Sequence, residues 1–196
     1  QSDYYWVGGT GNWSNYSSHW ATSSGGNIFH TTTPSSNDNA IFDSNSFNAE
    51  NQTINLNVDN VSVGDIMWNG VTHNPKFNMS SRAVIIYGSV KFDPFMTIQS
   101  PGTLKFTSSS TATLISAGLP LGTIEVEKTG GTFDQLDNYN FSGLIRIKNG
   151  TTYNTNDYNL QTNGFYLYPS ESGVVSTTFN SGSSDINITS GQFEIN

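Results

Sequence analysis

The chain has 196 residues, of which 34% are apolar and 11% charged, with a formal net charge of −8 and no cysteine. A typical soluble domain carries about 45–50% apolar and about 25% charged residues. Here 24 Asn, 27 Ser and 22 Thr fill the difference while Ala (6) and Leu (9) are scarce, which disfavours helices and favours strands joined by Asn- and Gly-rich turns.

The basic residues all fall between Lys76 and Lys148, so residues 1–75 and 149–196 carry none. That leaves no clustered Lys/Arg surface for a nucleic-acid backbone or an anionic membrane. No apolar run approaches the roughly 20 residues of a membrane span, so direct membrane insertion is not expected. The absence of cysteine removes disulfides, thiolate zinc sites and cysteine catalysis together. A polar, Lys-poor, Cys-free chain fits an extracellular setting. Gln1 fits either a residue left by signal cleavage or a boundary inside a longer protein.

Residues 1–50 differ from the rest. Tyr4-Tyr-Trp-Val-Gly-Gly-Thr-Gly-Asn-Trp13 leads to His19-Trp20 and Ser23-Ser-Gly-Gly26. Trp6, Trp13 and Trp20 recur every seven residues, but the glycines between them forbid a heptad helix. The segment is expected to be an aromatic, turn-rich N-terminal cap whose tryptophans cover the first open rung of a solenoid. The sharper alternative is a sugar-binding platform made by Trp6, Trp13, His19 and Trp20. Asp38, Asn39 and Asp43 offer oxygen ligands over a short stretch, which suits calcium, although the spacing matches no calcium loop and Asp and Asn also form turns. His19, His30 and His73 share no metal-ligand spacing.

Residues 51–196 are expected to form a right-handed parallel β-helix. In 51–100 its turns look irregular: Gly64 and Gly88 interrupt strand-like runs, and Gly102 follows Gly88 by only 14 residues, so a register break is expected between 93 and 102, marked by Pro94 and Pro101. From Thr103 onward the chain repeats. Gly102, Gly122, Gly143 and Gly164 each precede a short strand and stand 20, 21 and 21 residues apart. Two further strand-like series lie within each period, beginning at Thr132-Phe133 and at Tyr139-Asn-Phe141. Three strands per rung of about 21 residues identify a β-solenoid.

Alternation within the first series predicts an inward column of Leu104/Phe106, Ile124/Val126, Ile145/Ile147 and Tyr166/Tyr168. The outward column then reads Lys105, Glu125, Arg146, with Glu127 over Lys148. Opposite charges alternate at the roughly 4.8 Å strand spacing. Asn196 follows a strand directly, so the helix is expected to continue beyond this segment.

Tyr5-Trp-Val-Gly-Gly-Thr-Gly-Asn-Trp13, His19-Trp20, Ser36-Asn-Asp-Asn-Ala-Ile-Phe-Asp-Ser-Asn-Ser-Phe47 and Glu127-Lys-Thr-Gly-Gly131 resemble the N-terminal region of large secreted Bacteroidota surface proteins. The resemblance implies an adhesin-like cell-surface protein linked to gliding motility and exported by the type IX route. It also implies surface polysaccharide, or other surface and secretion proteins, as partners.

Parallel β-helices also carry polysaccharide lyases and glycosidases. Several of the basic residues a lyase would need fall into the charge ladder, and Asp134 and Asp137 serve a turn as readily as a glycosidase pair. Gly8-Gly-Thr-Gly11 precedes Asn and Trp rather than a helix with Lys, so it is no phosphate loop. No catalytic residue or cofactor is expected. The sequence reading is an extracellular structural and adhesion module, with a carbohydrate-binding module as the alternative.

Overall fold

The computed structural model describes residues 1–168 and 176–195. Asn196, and with it the expected continuation, lies outside the described residues. The chain opens with β1 (Asp3–Trp6), β2 (Gly11–Asn12), one helical turn α1 (Tyr16–His19) and β3 (Trp20–Ala21). Successive circuits then run β4 (Asn39–Phe42), β5 (Thr53–Asn55) and β6 (Val61–Val63), followed by β7 (Ile66–Trp68), β8 (Lys76–Asn78) and β9 (Ala83–Ile86). Next come β10 (Val90–Lys91), β11 (Thr97–Gln99) and β12 (Thr103–Phe106), then β13 (Ala112–Ile115) and β14 (Thr123–Glu127). The last circuits are β15 (Thr132–Gln135), β16 (Tyr139–Asn140) and β17 (Leu144–Lys148), then β18 (Thr152–Asn154), β19 (Leu160–Thr162) and β20 (Gly164–Leu167), then β21 (Thr178–Asn180), β22 (Ile186–Ile188) and β23 (Phe193–Ile195).

These strands stack into a parallel β-helix of about six turns. A nine-stranded sheet runs from β3 to β21 and a seven-stranded sheet from β6 to β23, while the third face holds a four-stranded sheet (β2 to β11) and a three-stranded one (β16 to β22). Among the described residues the strands pair in parallel except β3 with β1, which closes the N-terminal edge of the nine-stranded sheet with an antiparallel strand, and Ala21 of β3 makes one isolated antiparallel bridge to Phe29. The aromatic segment is built into these sheets: β1 pairs with β4, and β2 with β5, so residues on both sides of position 50 share one core.

Inward positions on the seven-stranded sheet carry Val84, Ile86, Leu104, Phe106, Ile124, Val126, Ile145 and Ile147, all buried. Several polar groups enter the core with partners. The Tyr153 hydroxyl donates to Gln135 Oε1 (3.2 Å), whose amide donates to the Asp137 and Asn159 carbonyls, and burial raises the Tyr153 pKa. Asn is not confined to turns. Asn180 donates to Asn154 and Asn154 to Asp134, each at 2.7 Å, so amide ladders run up the outside from rung to rung.

Two register expectations are corrected. The first concerns the last glycine of the series. Leu144, not Gly143, lies opposite Gly164, so Phe165 and Leu167 continue the Ile145/Ile147 columns while Tyr166 stands beside Arg146 on the outer face. A one-residue shift exchanges the faces, and it places the wholly apolar Phe165 inside, fully buried. At this corner each glycine's missing Cβ leaves room for the backbone of the rung below: a Cβ on Gly122 would strike the Gly102 carbonyl, and one on Gly143 the Gly122 carbonyl. Asn163 takes the place after Gly143, and Gly191 resumes the series.

The second correction is that no register break occurs between 93 and 102. β11 stacks on β8, with Ile98 opposite Phe77, and β12 on β9, with Thr103 opposite Ala83. Gly64 and Gly88 stand at the corner after the seven-stranded sheet and Gly102 at the corner before it, so the 14-residue spacing compared two different corners. Pro94 and Pro101 lie outside strands, where no ladder donor is required.

Candidate functional site

The three N-terminal tryptophans form an aromatic plug. Trp20 meets Trp6 edge-on (5.0 Å between ring centroids, 84° between planes) and Trp13 likewise (4.9 Å, 71°). Phe42 continues the stack to Trp68 at 4.2 Å. The Trp6 indole N–H donates to the Gly9 carbonyl and that of Trp20 to the Trp13 carbonyl, both at 2.8 Å. His19 Nδ1 donates to the Val7 carbonyl at 2.7 Å, which fixes the tautomer. Positive φ at Gly8 and Gly9 turns the chain, and a Cβ on Gly11 would collide with the His19 ring.

The expected sugar platform is therefore corrected. Trp6, Trp13 and Trp20 are 0%, 1% and 0% exposed and His19 is 9% exposed, so these side chains are assembled together but offer no ring face to a ligand. Large aromatics at the end of a solenoid are more stable against one another than against water.

The expected calcium ligands are not brought together. Asp38 and Asn39 sit at one end of β4, while Asp43 follows its other end, about 16 Å away at the usual strand rise. Burial works to raise the Asp38 pKa, but hydrogen bonds from the Ser35 hydroxyl (2.6 Å), the Ser35 amide and the Ser2 amide outweigh it and hold the carboxyl below its usual range. Asn39 bridges Gln1 and Asp3, and Asp43 accepts the Asn45 amide at 2.9 Å. Among the described residues no group of three or more His, Asp and Glu is placed to share a cation.

On the outer face the charge ladder is diagonal as well as lateral. Lys105 lies between Glu125 (3.4 Å) and Glu127 (2.7 Å), and Glu125 reaches on to Lys148 (3.1 Å). Lys148 stands 6.0 Å from the Tyr168 ring, which stacks on Tyr166.

An open groove of about 420 Å³ follows the corner between the seven- and nine-stranded sheets, lined by Asn37, Asp65, Tyr87, Gly88 and Ser108 among others. Behind its Ser108 wall lies Lys128, with no exposed surface. Lys128 Nζ donates to the Thr107 carbonyl (3.0 Å) and to Ser108 Oγ (3.1 Å) and has no carboxylate partner among the described residues. Burial pushes its pKa down to about 8. Sequence reasoning singled out neither residue, although Lys128 follows Ile124 and Val126 in inward phase, which was the available signal.

Comparison of the chain with protein families, curated proteins and solved structures found no match.

Proposed function

We propose that this chain is a stiff structural and adhesion module of a secreted cell-surface protein. The observation that carries the reading is the unbroken axial stack: parallel sheets share one core from Tyr4 to Phe165, tied on the outside by the Lys105–Glu125–Lys148 ladder and by Asn–Asn hydrogen bonds. Such a stack resists bending because each rung is held by its neighbours on three faces. Its polar, cation-poor exterior suits surface polysaccharide or other surface proteins as partners rather than nucleic acid. The resemblance to secreted Bacteroidota surface proteins supports the same location and the type IX export route.

The test is antibody labelling of intact cells combined with deletion of the module. Labelling without permeabilisation, together with weaker attachment of the deletion strain to polysaccharide-coated surfaces, is the expected result. An antigen detected only after lysis overturns it.

A further inference from the structure

The groove at the corner between the seven- and nine-stranded sheets measures about 420 Å³, within the range of small-ligand sites, about 300–1,000 Å³. Tyr87 lines it with 40% of its surface exposed. The Tyr87 backbone is pinned on both sides: its amide donates to the Val63 carbonyl at 2.9 Å, and its carbonyl accepts the Ser108 hydroxyl at 3.1 Å. Lys128 Nζ donates to Ser108 Oγ in turn, and Ser108 holds a φ of +86°, so a costly backbone conformation maintains this wall. Asp65 also lines the groove. Its Oδ1 accepts the Ser89 amide at 2.7 Å, and a Cβ on Gly88 would strike that oxygen. Asp65 Oδ2, the Tyr87 hydroxyl and the Asn37 side-chain amide have no hydrogen-bond partner among the described residues. Among the described residues no Lys or Arg lines the groove.

We propose that this groove binds a short internal stretch of a neutral polysaccharide, with Tyr87 as the stacking surface. The inference rests on the adhesive reading above and deepens it by naming the partner and the place of contact. A pyranose has an apolar face of C–H groups and a rim of hydroxyls, so its recognition calls for an aromatic ring beside a few fixed polar groups. Tyr87 supplies the ring. The Asp65 carboxylate accepts from a sugar hydroxyl, a charge-assisted bond stronger than a neutral one. The Asn37 amide donates to one hydroxyl and accepts from the next. An acidic glycan is disfavoured, because its carboxylates would meet Asp65 with no cation in the lining to offset the repulsion. The open shape selects internal units: a groove lets the polymer run through, where a closed pocket would require a chain end. Tyr87 and Asp65 are already held by the fold, so little ordering remains to oppose binding.

The experiment uses the whole purified chain in affinity gels and calorimetry, with β-glucan, galactan and mannan as neutral probes and polygalacturonate as the acidic one. Saturable binding to at least one neutral probe and none to polygalacturonate is expected. Tyr87→Ala should weaken that binding about tenfold or more, as loss of an aromatic anchor does. Asp65→Asn keeps an oxygen for the Ser89 amide and should weaken it about tenfold. Tyr158→Ala removes a similarly exposed tyrosine (39%) outside the groove and should bind as the wild type does. If Tyr87→Ala does not melt as the wild type does, the wild-type Tyr87 ring resonance decides, since a bound glycan must shift it. No neutral probe bound, equal binding of polygalacturonate, full affinity in Tyr87→Ala or an unshifted ring overturns the proposal. Cells labelled without permeabilisation while the chain binds no probe strike the groove alone, whereas an antigen found only after lysis strikes the surface reading.

Discussion

The His19 imidazole lies flat on the Trp6 indole, with ring centroids 4.5 Å apart and planes 4° from parallel. That contact fixes Gly11, because the ring occupies the place a Cβ would take. Gly11→Ala must displace His19 or β2, and forcing atoms into a packed core costs about 1–3 kcal/mol. The urea midpoint is expected to fall accordingly with an unchanged slope. A neutral Gly11→Ala overturns this packing.

The plug also predicts an asymmetry between two tryptophans that are both buried. Trp20 gives its N–H to the Trp13 carbonyl, whereas the Trp13 N–H is buried without an acceptor among the described residues. Trp20→Phe removes a hydrogen bond and strands a carbonyl, a loss of about 1–3 kcal/mol beyond the change in volume. Trp13→Phe removes a donor that was already unmet. Denaturation should therefore show Trp20→Phe as the more damaging change, and equal losses would argue against the arrangement.

Much of this fold was legible because solenoid periodicity writes tertiary contacts into sequence spacing. Gly102, Gly122 and Gly143 do occupy one corner, and Lys105, Glu125 and Arg146 do stand in one row. The spacing failed where unlike corners share a residue type. Gly88 stacks on Gly64 at the other corner and Gly164 lies opposite Leu144, and only inward burial of Phe165 distinguishes the true register from its neighbour. The plug was visible as an excess of tryptophan, but its burial was not, since a sugar platform has the same composition. Ser108 and Lys128 escaped notice because their proximity arises from stacking across 20 residues, and no motif spans such a distance.

The corrected register has a direct consequence. Phe165 is fully buried between Tyr153, Phe179 and Phe193, while Tyr166 stacks on Tyr168 at the outer face. Phe165→Ala should cost about 3–5 kcal/mol and Tyr166→Ala no more than about 1 kcal/mol. The reverse order in thermal melts would restore the register in which Tyr166 points inward.

Glu125 sets the acid sensitivity of the ladder. Burial works to raise its pKa, but Lys148 and Lys105 outweigh burial and hold the carboxyl below its ordinary 4.5. As the folded value lies below the unfolded one, the contribution is fully present above about pH 4.5 and is lost as pH falls through the folded value. Glu125→Gln should cost about 1–2 kcal/mol at pH 7, because Lys148 then has no carboxylate within reach among the described residues. The gap between wild type and variant should narrow as pH falls below 4.5 through the folded value. A constant gap would assign the loss to packing.

Lys128 predicts the opposite trend at alkaline pH. Its folded pKa of about 8 lies below the ordinary 10.5, so between those values the unfolded chain binds a proton that the folded chain has released. Burying the charged amine is unfavourable below pH 8, and that penalty is relieved as pH rises to 10.5. Methionine has a similar shape and no charge, so Lys128→Met serves as the reference. It forfeits the bonds to Thr107 and Ser108 at every pH. Wild type should therefore gain stability relative to the variant as pH rises from 8 to 10. Other groups titrating in this window are common to both chains and cancel in the difference. Paired urea titrations at pH 7, 8, 9 and 10 give the curve directly. A difference that stays flat would mean Lys128 is solvated when charged and therefore carries no depressed pKa.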